Sequence, residues 1–475
     1  MNTSTSGAKA PPAQKVPFLV KLGYSFGTFG ESIAYNLFYV YFLLFLTAVV
    51  GLDPAIAGTI SLVAIVWDGI TDPLVGYLSD NSRNRAGRRR PFILRFCAPL
   101  AAVLVLLFTV FPDLSGPAQV FYFLLMNVLF WTMFTLVDVP YIALGGELSD
   151  DGNERTQIRT MATMWNFVGF VVVAAGTVPL VVSLADPVGY PGEKAFADPG
   201  AWGKVVIAFG LLVLVAFLVA HVATRGRETT VPQKDSATRA GFIGDYLSVM
   251  RIREFHPLIG FNVISQIGGY MLTALAVHYF IYHMGASESQ ISTIFLVYGI
   301  IVVAISPLIG GAANRFGKKP VLIACNGINV LIFLYFWQAG FNFTNVYLST
   351  AGIGLYFGSF YILAIAATYD IAELDKVRRN DRESRQGIIF AFFSFMMKIG
   401  VGLGMFFSGL LLKATGFDPT AAQQSERALW GLHLGFTLIP AILFLLGIAI
   451  LSRYPISRAR QVQIDDEVKM LDAAG

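Results

Sequence analysis

About twelve apolar runs divide the chain, and each reaches the roughly 20 residues that a helix needs to cross a bilayer. They start near Leu22, Ile56, Pro91, Ala118, Thr156 and Trp202, then near Pro257, Gln290, Pro320, Asn345, Gln386 and Ala428. Lipid offers the backbone no hydrogen bonds, so runs of this length must be helices. Turn segments rich in Gly, Pro and Asp separate them: "GLDP", "PDLSGP", "GASES", "GFDP". Composition agrees. The chain is 55% hydrophobic and 13% charged, against charge at about a quarter of residues in soluble domains. The expected fold is an all-α membrane protein of twelve transmembrane helices in two six-helix bundles.

The Lys and Arg residues set the expected orientation. Alternate loops hold Arg83 to Arg90, Arg225 to Arg253, Arg315 to Lys319, Lys376 to Arg385, and Arg453 to Arg460. The opposite loops hold only Lys194, Lys204, Lys413 and Arg427. Basic loops stay in the cytoplasm, which places both termini there, with the protein in the cell membrane, the cytoplasmic membrane if the source is bacterial. A net charge of +4 leaves no electrostatic footprint for a nucleic-acid partner. Cys97 and Cys325 stand alone in apolar runs and suggest neither a disulfide nor a metal site. The first apolar run is too long for a cleavable signal.

The halves repeat each other. "GYLSDNSRNRAGRRRP" follows the second run and "GGAANRFGKKP" the eighth. Such internal symmetry is a mark of transporters built from two bundles. The expected division is residues 1–224, a linker at 225–256, residues 257–456, and a cytoplasmic tail at 457–475.

Charges inside the apolar runs carry the chemistry. Asp68 and Asp72 are four residues apart, so on a helix they share a face. A charged acid at mid-bilayer costs about 2.5–3.5 kcal/mol by insertion scales. A shared proton, a bound cation or a basic side chain would each make the pair tolerable. Pro73 weakens the helix beside them and would free the carbonyl of Gly69. Asp138 is a third such acid, one turn after Thr135 and close to Pro140. Lys398 is the cation within the eleventh run and should pair with carboxylates. In the first run Tyr24, Thr28, Glu31, Tyr35, Tyr39 and Phe42 recur at helical spacing, as a cavity wall would. Gln266, Tyr270 and His278, and Tyr356, Tyr361 and Tyr369, are weaker candidates in the second half. No HExxH, GxSxG or Cys/His cluster points to an enzyme.

With those residues in view, "WDGITDPLVGYLSD…GRRRP" resembles the signature of the glycoside–pentoside–hexuronide:cation symporters of the major facilitator superfamily. "DVPYIAL" and "DIAELDKVRRNDRESRQGIIFAFFSFMMKIG" resemble further segments of that family. The resemblance implies a cation site for Na⁺ or H⁺ at Asp68, Asp72, Thr71 and Thr135. It implies solute contacts at Asp138 and Lys398; the expected solute site is completed by Glu31 and Tyr35 of the first-run stripe, by Tyr141, and by Ser32, Ile142 and Ala162, where the chain departs from the family. Ser32 stands where melibiose permease has a second sugar-binding acid, Ile142 where it has a tryptophan, and Thr71 replaces a cation-site asparagine. Ala162 falls where an arginine is common. The expected function is cation-coupled symport of a glycoside, sugar or uronide by alternating access, with an amphipathic lysolipid as the alternative cargo. The expected partners are the solute, the coupling cation and membrane lipid, with no other cofactor and a monomeric carrier. In the outward-facing state Arg88, Arg89 and Arg382 are expected to meet Asp370, Glu373 or Glu147 across the bundle interface as a gate.

Overall fold

The structure, a computed structural model, describes residues 15–82, 84, 87–149, 151–227, 248–380, 385–418, 421 and 423–473. Among these are 12 helices long and apolar enough to cross a membrane. They are α1 (Phe18–Val49), α2 (Pro54–Asp80), α3 (Arg90–Leu107), α4 (Gly116–Glu147), α5 (Glu154–Leu184) and α6 (Pro199–Ala223). The second set is α7 (Arg253–His283), α8 (Glu288–Phe316), α9 (Lys318–Ala339), α10 (Val346–Arg379), α11 (Gln386–Ala414) and α12 (Glu426–Leu451). A further helix, α13, spans Arg458–Ala473. Residues 228–247 of the expected linker and Arg382 of the expected gate lie outside the described residues.

Most helices begin a few residues before their apolar runs, and polar side-chain caps start α2, α6, α8 and α12. Asp53 accepts from the Ala55 and Ile56 amides, and Pro54 sits at the first helical position of α2. Ser287 and Gln290 form a reciprocal capping box at α8. Asp198 and Pro199 do for α6 what Asp53 and Pro54 do for α2. Three spans are not regular throughout. Wider π-helical turns interrupt α1 at Leu37–Tyr41 and Phe45–Val49, α7 at Tyr279–His283, and α10 at Phe360–Ala364. Such turns re-aim the side chains they carry and cluster at functional places.

In the first set α1 packs on α5 and α6, α3 on α4 and α6, and α2 on α4. In the second α7 packs on α11 and α12, α8 on α10, and α9 on α10 and α12. The sets meet through α2 against α11 and α5 against α8. Each is a second helix on a fifth, so the two contacts are equivalent under a twofold relation. Lipid gives helices no hydrophobic reason to associate, so close backbone packing must hold them. Gly409 shows it: a Cβ there would stand 2.1 Å from the Pro54 carbonyl.

An even number of spans among the described residues puts the start of α1 and the end of α12 at the same end of the molecule, together with the described basic residues between spans. The sets touch closely at the other, far end. Lys413 Nζ lies 3.0 Å from Asp53 Oδ2. Thr47 Oγ1 is 2.9 Å from His278 Nε2, and Ser292 Oγ donates to the Ala175 carbonyl at 2.6 Å. The C-terminal segment, expected as a tail, is the helix α13; it packs on α10 and buries Ile464.

Candidate functional site: the cation and solute centre

Asp68 is the deepest of the acids, 1% exposed. Thr135 Oγ1, from α4, lies 2.7 Å from Asp68 Oδ1 and 2.8 Å from the Trp131 carbonyl. Lys398 arrives from the opposite set of helices. Its Nζ is 2.5 Å from Asp68 Oδ2 and also bonds Asp72 Oδ2. Gly69 makes the approach possible, since a Cβ there would meet the Phe395 ring at 2.8 Å and Lys398 Cδ at 3.6 Å. Asp68, Asp72, Thr135 and Lys398 are thus one cluster. Thr71 is not part of its carboxylate contacts: its hydroxyl turns back to the Asp68 carbonyl at 3.1 Å.

Two carboxylates share one ammonium, so with both ionised the cluster keeps one uncompensated negative charge. The Asp72 side chain is 33% exposed against 2% for Asp68, so the pair has one closed and one open member. Oxygen ligands of this kind suit a hard cation.

A cavity of about 680 Å³ lies between α1, α4 and α5 and reaches toward the end that carries the termini. Glu31, Tyr141, Ile142 and Ala162 line it, as do Tyr24 and Thr28 of the α1 stripe. The Thr28 and Tyr141 hydroxyls are 2.8 Å apart, and Tyr141 donates to the Tyr24 carbonyl at 2.6 Å. Asp138 stands one turn before Tyr141 on α4. Its Oδ1 is buried and has no hydrogen-bond partner among the described residues. The charges that act on it are those of Glu31, Asp72, Lys398 and Asp68. An orphaned buried acceptor of this kind calls for a donor from elsewhere.

Other expected contacts fall outside the cavity. Ser32 is fully buried and donates to the Asn166 carbonyl at 2.7 Å. It packs α1 on α5 rather than facing solute, because Gly169 brings the two helices together there: a Cβ on it would lie 2.7 Å from Ser32 Cβ. Tyr35 joins a tyrosine cluster beyond the cavity, and Phe42 stacks on Phe38 in the core. Arg155, Arg159, Thr163 and Asn166 of α5 line the cavity and were not anticipated. Their spacing of four, four and three residues was a readable signal of one helix face.

The described gate residues pair within their own sets in this conformation. Arg88 and Arg89 bond Glu147, and Arg89 also reaches Asp80 at 2.8 Å. Lys318 binds Asp370 at 2.6 Å, and Glu373 lies beside Asp465 of α13. None of these four ion pairs crosses from one set to the other.

The family described as "MFS/sugar transport protein" matches residues 23–458. The chain belongs to that family. This MFS protein is therefore a multi-pass membrane transporter and not an enzyme. An isoprimeverose transporter from Lactiplantibacillus pentosus is 25% identical to it, covering 98% of this chain and 94% of that protein. Sodium-dependent lysophosphatidylcholine symporter 1 from Xenopus tropicalis is 26% identical, covering 88% and 84%. Among solved structures, a mutant form of the nucleoside transporter NupG superposes with a TM-score of 0.68 at 14% identity, covering 91% of this chain and 99% of that one. That similarity shows the shared major facilitator fold.

Proposed function

We propose that this transporter moves a glycoside or related sugar together with Na⁺ or H⁺. The observation that carries the reading is the Lys398 ammonium held between Asp68 and Asp72 across the two helix sets. Lys398 acts there as a tethered stand-in for the coupling cation. With the basic end in the cytoplasm, the cavity faces inward and the conformation is the inward-facing one.

The cycle follows from charge. A cation arriving at Asp68, Asp72 and Thr135 neutralises the cluster and frees Lys398. The ammonium then turns toward Asp138, whose Oδ1 is ready to accept a solute hydroxyl. Cation and solute thereby favour the same closed arrangement, and only such differential binding can couple them. The isoprimeverose transporter supports a sugar cargo, and the hydroxyl-rich lining suits one. The test is uptake of isoprimeverose into proteoliposomes under imposed Na⁺ or H⁺ gradients. Accumulation should need a cation gradient and vanish in Asp68→Asn. Gradient-driven accumulation that survives Asp68→Asn/Asp72→Asn would sink the proposal.

A second reading has its own support. Ile142 is 44% exposed in the cavity, beside Ile158 and Ala162, and the lysophosphatidylcholine symporter is a relative. An amphipathic lysolipid would use that apolar strip. A ligand raises the melting temperature of the state it binds, so lysophosphatidylcholine and isoprimeverose, each with and without sodium, separate the cargoes.

A further inference from the structure

Four tyrosines outside the cation cluster join the two helix sets just beyond the cavity. Tyr35 and Tyr39 belong to α1, Tyr270 to α7 and Tyr361 to α10. The Tyr35 and Tyr270 hydroxyls are 3.2 Å apart, and those of Tyr270 and Tyr361 are 3.3 Å apart. The Tyr39 ring meets the Tyr270 ring edge-on at 4.9 Å and lies 4.3 Å from Tyr35. Tyr270 is 4% exposed, whereas Tyr361 is 37% exposed and lines the cavity. Tyr39 and Tyr361 both sit on π-helical turns, in α1 and α10. The chain of hydroxyls therefore runs from the cavity wall into the contact between the sets.

The bonding has a specific character. These are hydrogen bonds between neutral phenols, which are worth little net to the fold. They close the cavity toward the far end, where the sets must part for solute to enter from outside. When they part, Tyr35 and Tyr39 leave with one set and Tyr270 and Tyr361 with the other. Each set then carries an aromatic face and freed hydroxyls. Flat rings with a polar rim match a polyhydroxylated ring, whose C–H face lies on the aromatic surface while its hydroxyls replace the lost bonds.

We propose that Tyr270 is the far-side gate of the solute cavity and the second set's contact for a polyhydroxylated solute. Its hydroxyl bridges Tyr35 and Tyr361 while the far end is shut, and passes to the solute when that end opens. The solute half of this statement rests on the sugar reading above; the gate half does not.

The test removes one oxygen. Tyr270→Phe keeps the ring packing and deletes both bridges. Tyr356→Phe is the matched control: that hydroxyl is also buried but bonds the Ser265 carbonyl and Gln266 Oε1 at 2.7 Å, within its own set. Spin labels at the exposed far-end positions Asp113 and Glu288 report the gap between the sets in reconstituted full-length protein. Tyr270→Phe should raise the far-end-open fraction about fivefold without solute, as expected for loss of the one neutral hydrogen bond of the two, Tyr35–Tyr270, that crosses between the sets. Tyr356→Phe should leave the distribution as in the parent. An unchanged distribution in Tyr270→Phe, or an equal shift in both variants, overturns the gate. Isoprimeverose should bind Tyr270→Phe about tenfold more weakly than Tyr356→Phe; equal affinities overturn the contact. If the parent protein binds no isoprimeverose, the sugar reading and the contact fall together, and the spin-label result still decides the gate.

Discussion

At the level of single residues, Lys398 has the largest consequences. Removing one partner of a buried ion pair is costly, about 3–5 kcal/mol, because the other charge stays buried. Lys398→Gln leaves both carboxylates without their ammonium, so its melting temperature should fall well below that of Asp72→Asn, whose lost carboxylate is the more exposed one. On the sodium arm of the proposed function, Na⁺ takes the vacated place. Lys398→Gln should therefore gain more melting temperature from added NaCl than the parent does, with choline chloride as the ionic-strength control. An equal sodium response in both proteins would mean that the ammonium does not occupy the cation's place. Thr135 gives a finer probe. Thr135→Val keeps the shape but removes the oxygen 2.7 Å from Asp68 Oδ1. Thr135→Ser should retain cation affinity, whereas Thr135→Val should lose roughly tenfold, as expected for one hydrogen bond to a charged group.

For whole helices, the crossing of α2 and α11 sets the geometry. The Gly409 Cα faces the Pro54 carbonyl, and Gly58 faces the Phe406 carbonyl with 3.0 Å left for a Cβ. Gly409→Ala should push the helices apart, at about 1–3 kcal/mol for overpacking. The Asp113–Glu288 label pair should then lengthen even without solute. Beside this crossing Asp53 has two jobs, capping α2 and pairing with Lys413. Asn caps as well as Asp, so Asp53→Asn isolates the pair, an exposed one worth ~0–1 kcal/mol. Burial is the largest single influence on Asp53 and raises its pKa, but Lys413 and the Ile56 and Ala55 amides together outweigh it and hold the carboxyl below its ordinary value. The carboxylate's contribution is thus complete above the ordinary Asp pKa of about 3.9 and fades as pH falls below it. The melting-temperature gap between parent and Asp53→Asn should be constant from neutrality down to about pH 5 and shrink below about pH 4.

Taken as a whole, the molecule is closed at one end and hollow at the other. That asymmetry predicts sidedness. Cys97 and Cys325 are buried, so a cysteine at Ile142 is a clean reporter of the cavity. Ile142→Cys should react with an impermeant thiol reagent in inside-out vesicles and stay protected in right-side-out ones. Labelling from outside alone would reverse the orientation drawn from the basic loops.

Local rules made much of the molecule readable from the chain alone. Span positions follow from apolar length and from caps such as Asp53–Pro54 and Ser287–Gln290, which act within a few residues. The acids were equally legible, because a carboxylate in an apolar run is conspicuous whatever surrounds it. Partners were not. Ser32 and Glu31 are neighbours in the sequence, yet one packs against Gly169 and the other lines the cavity, since adjacent helical positions face different ways. Which carboxylates receive Lys398 depends on Gly69 letting α11 pass. The meeting of Tyr35 with Tyr270 depends on two helices from different sets crossing at one depth. A sequence specifies helices through interactions over about one turn, and it fixes the transporter's charged and polar inventory. Only the crossing of helices distant in the chain decides which of those groups touch, because that is settled by close backbone packing and by no local rule.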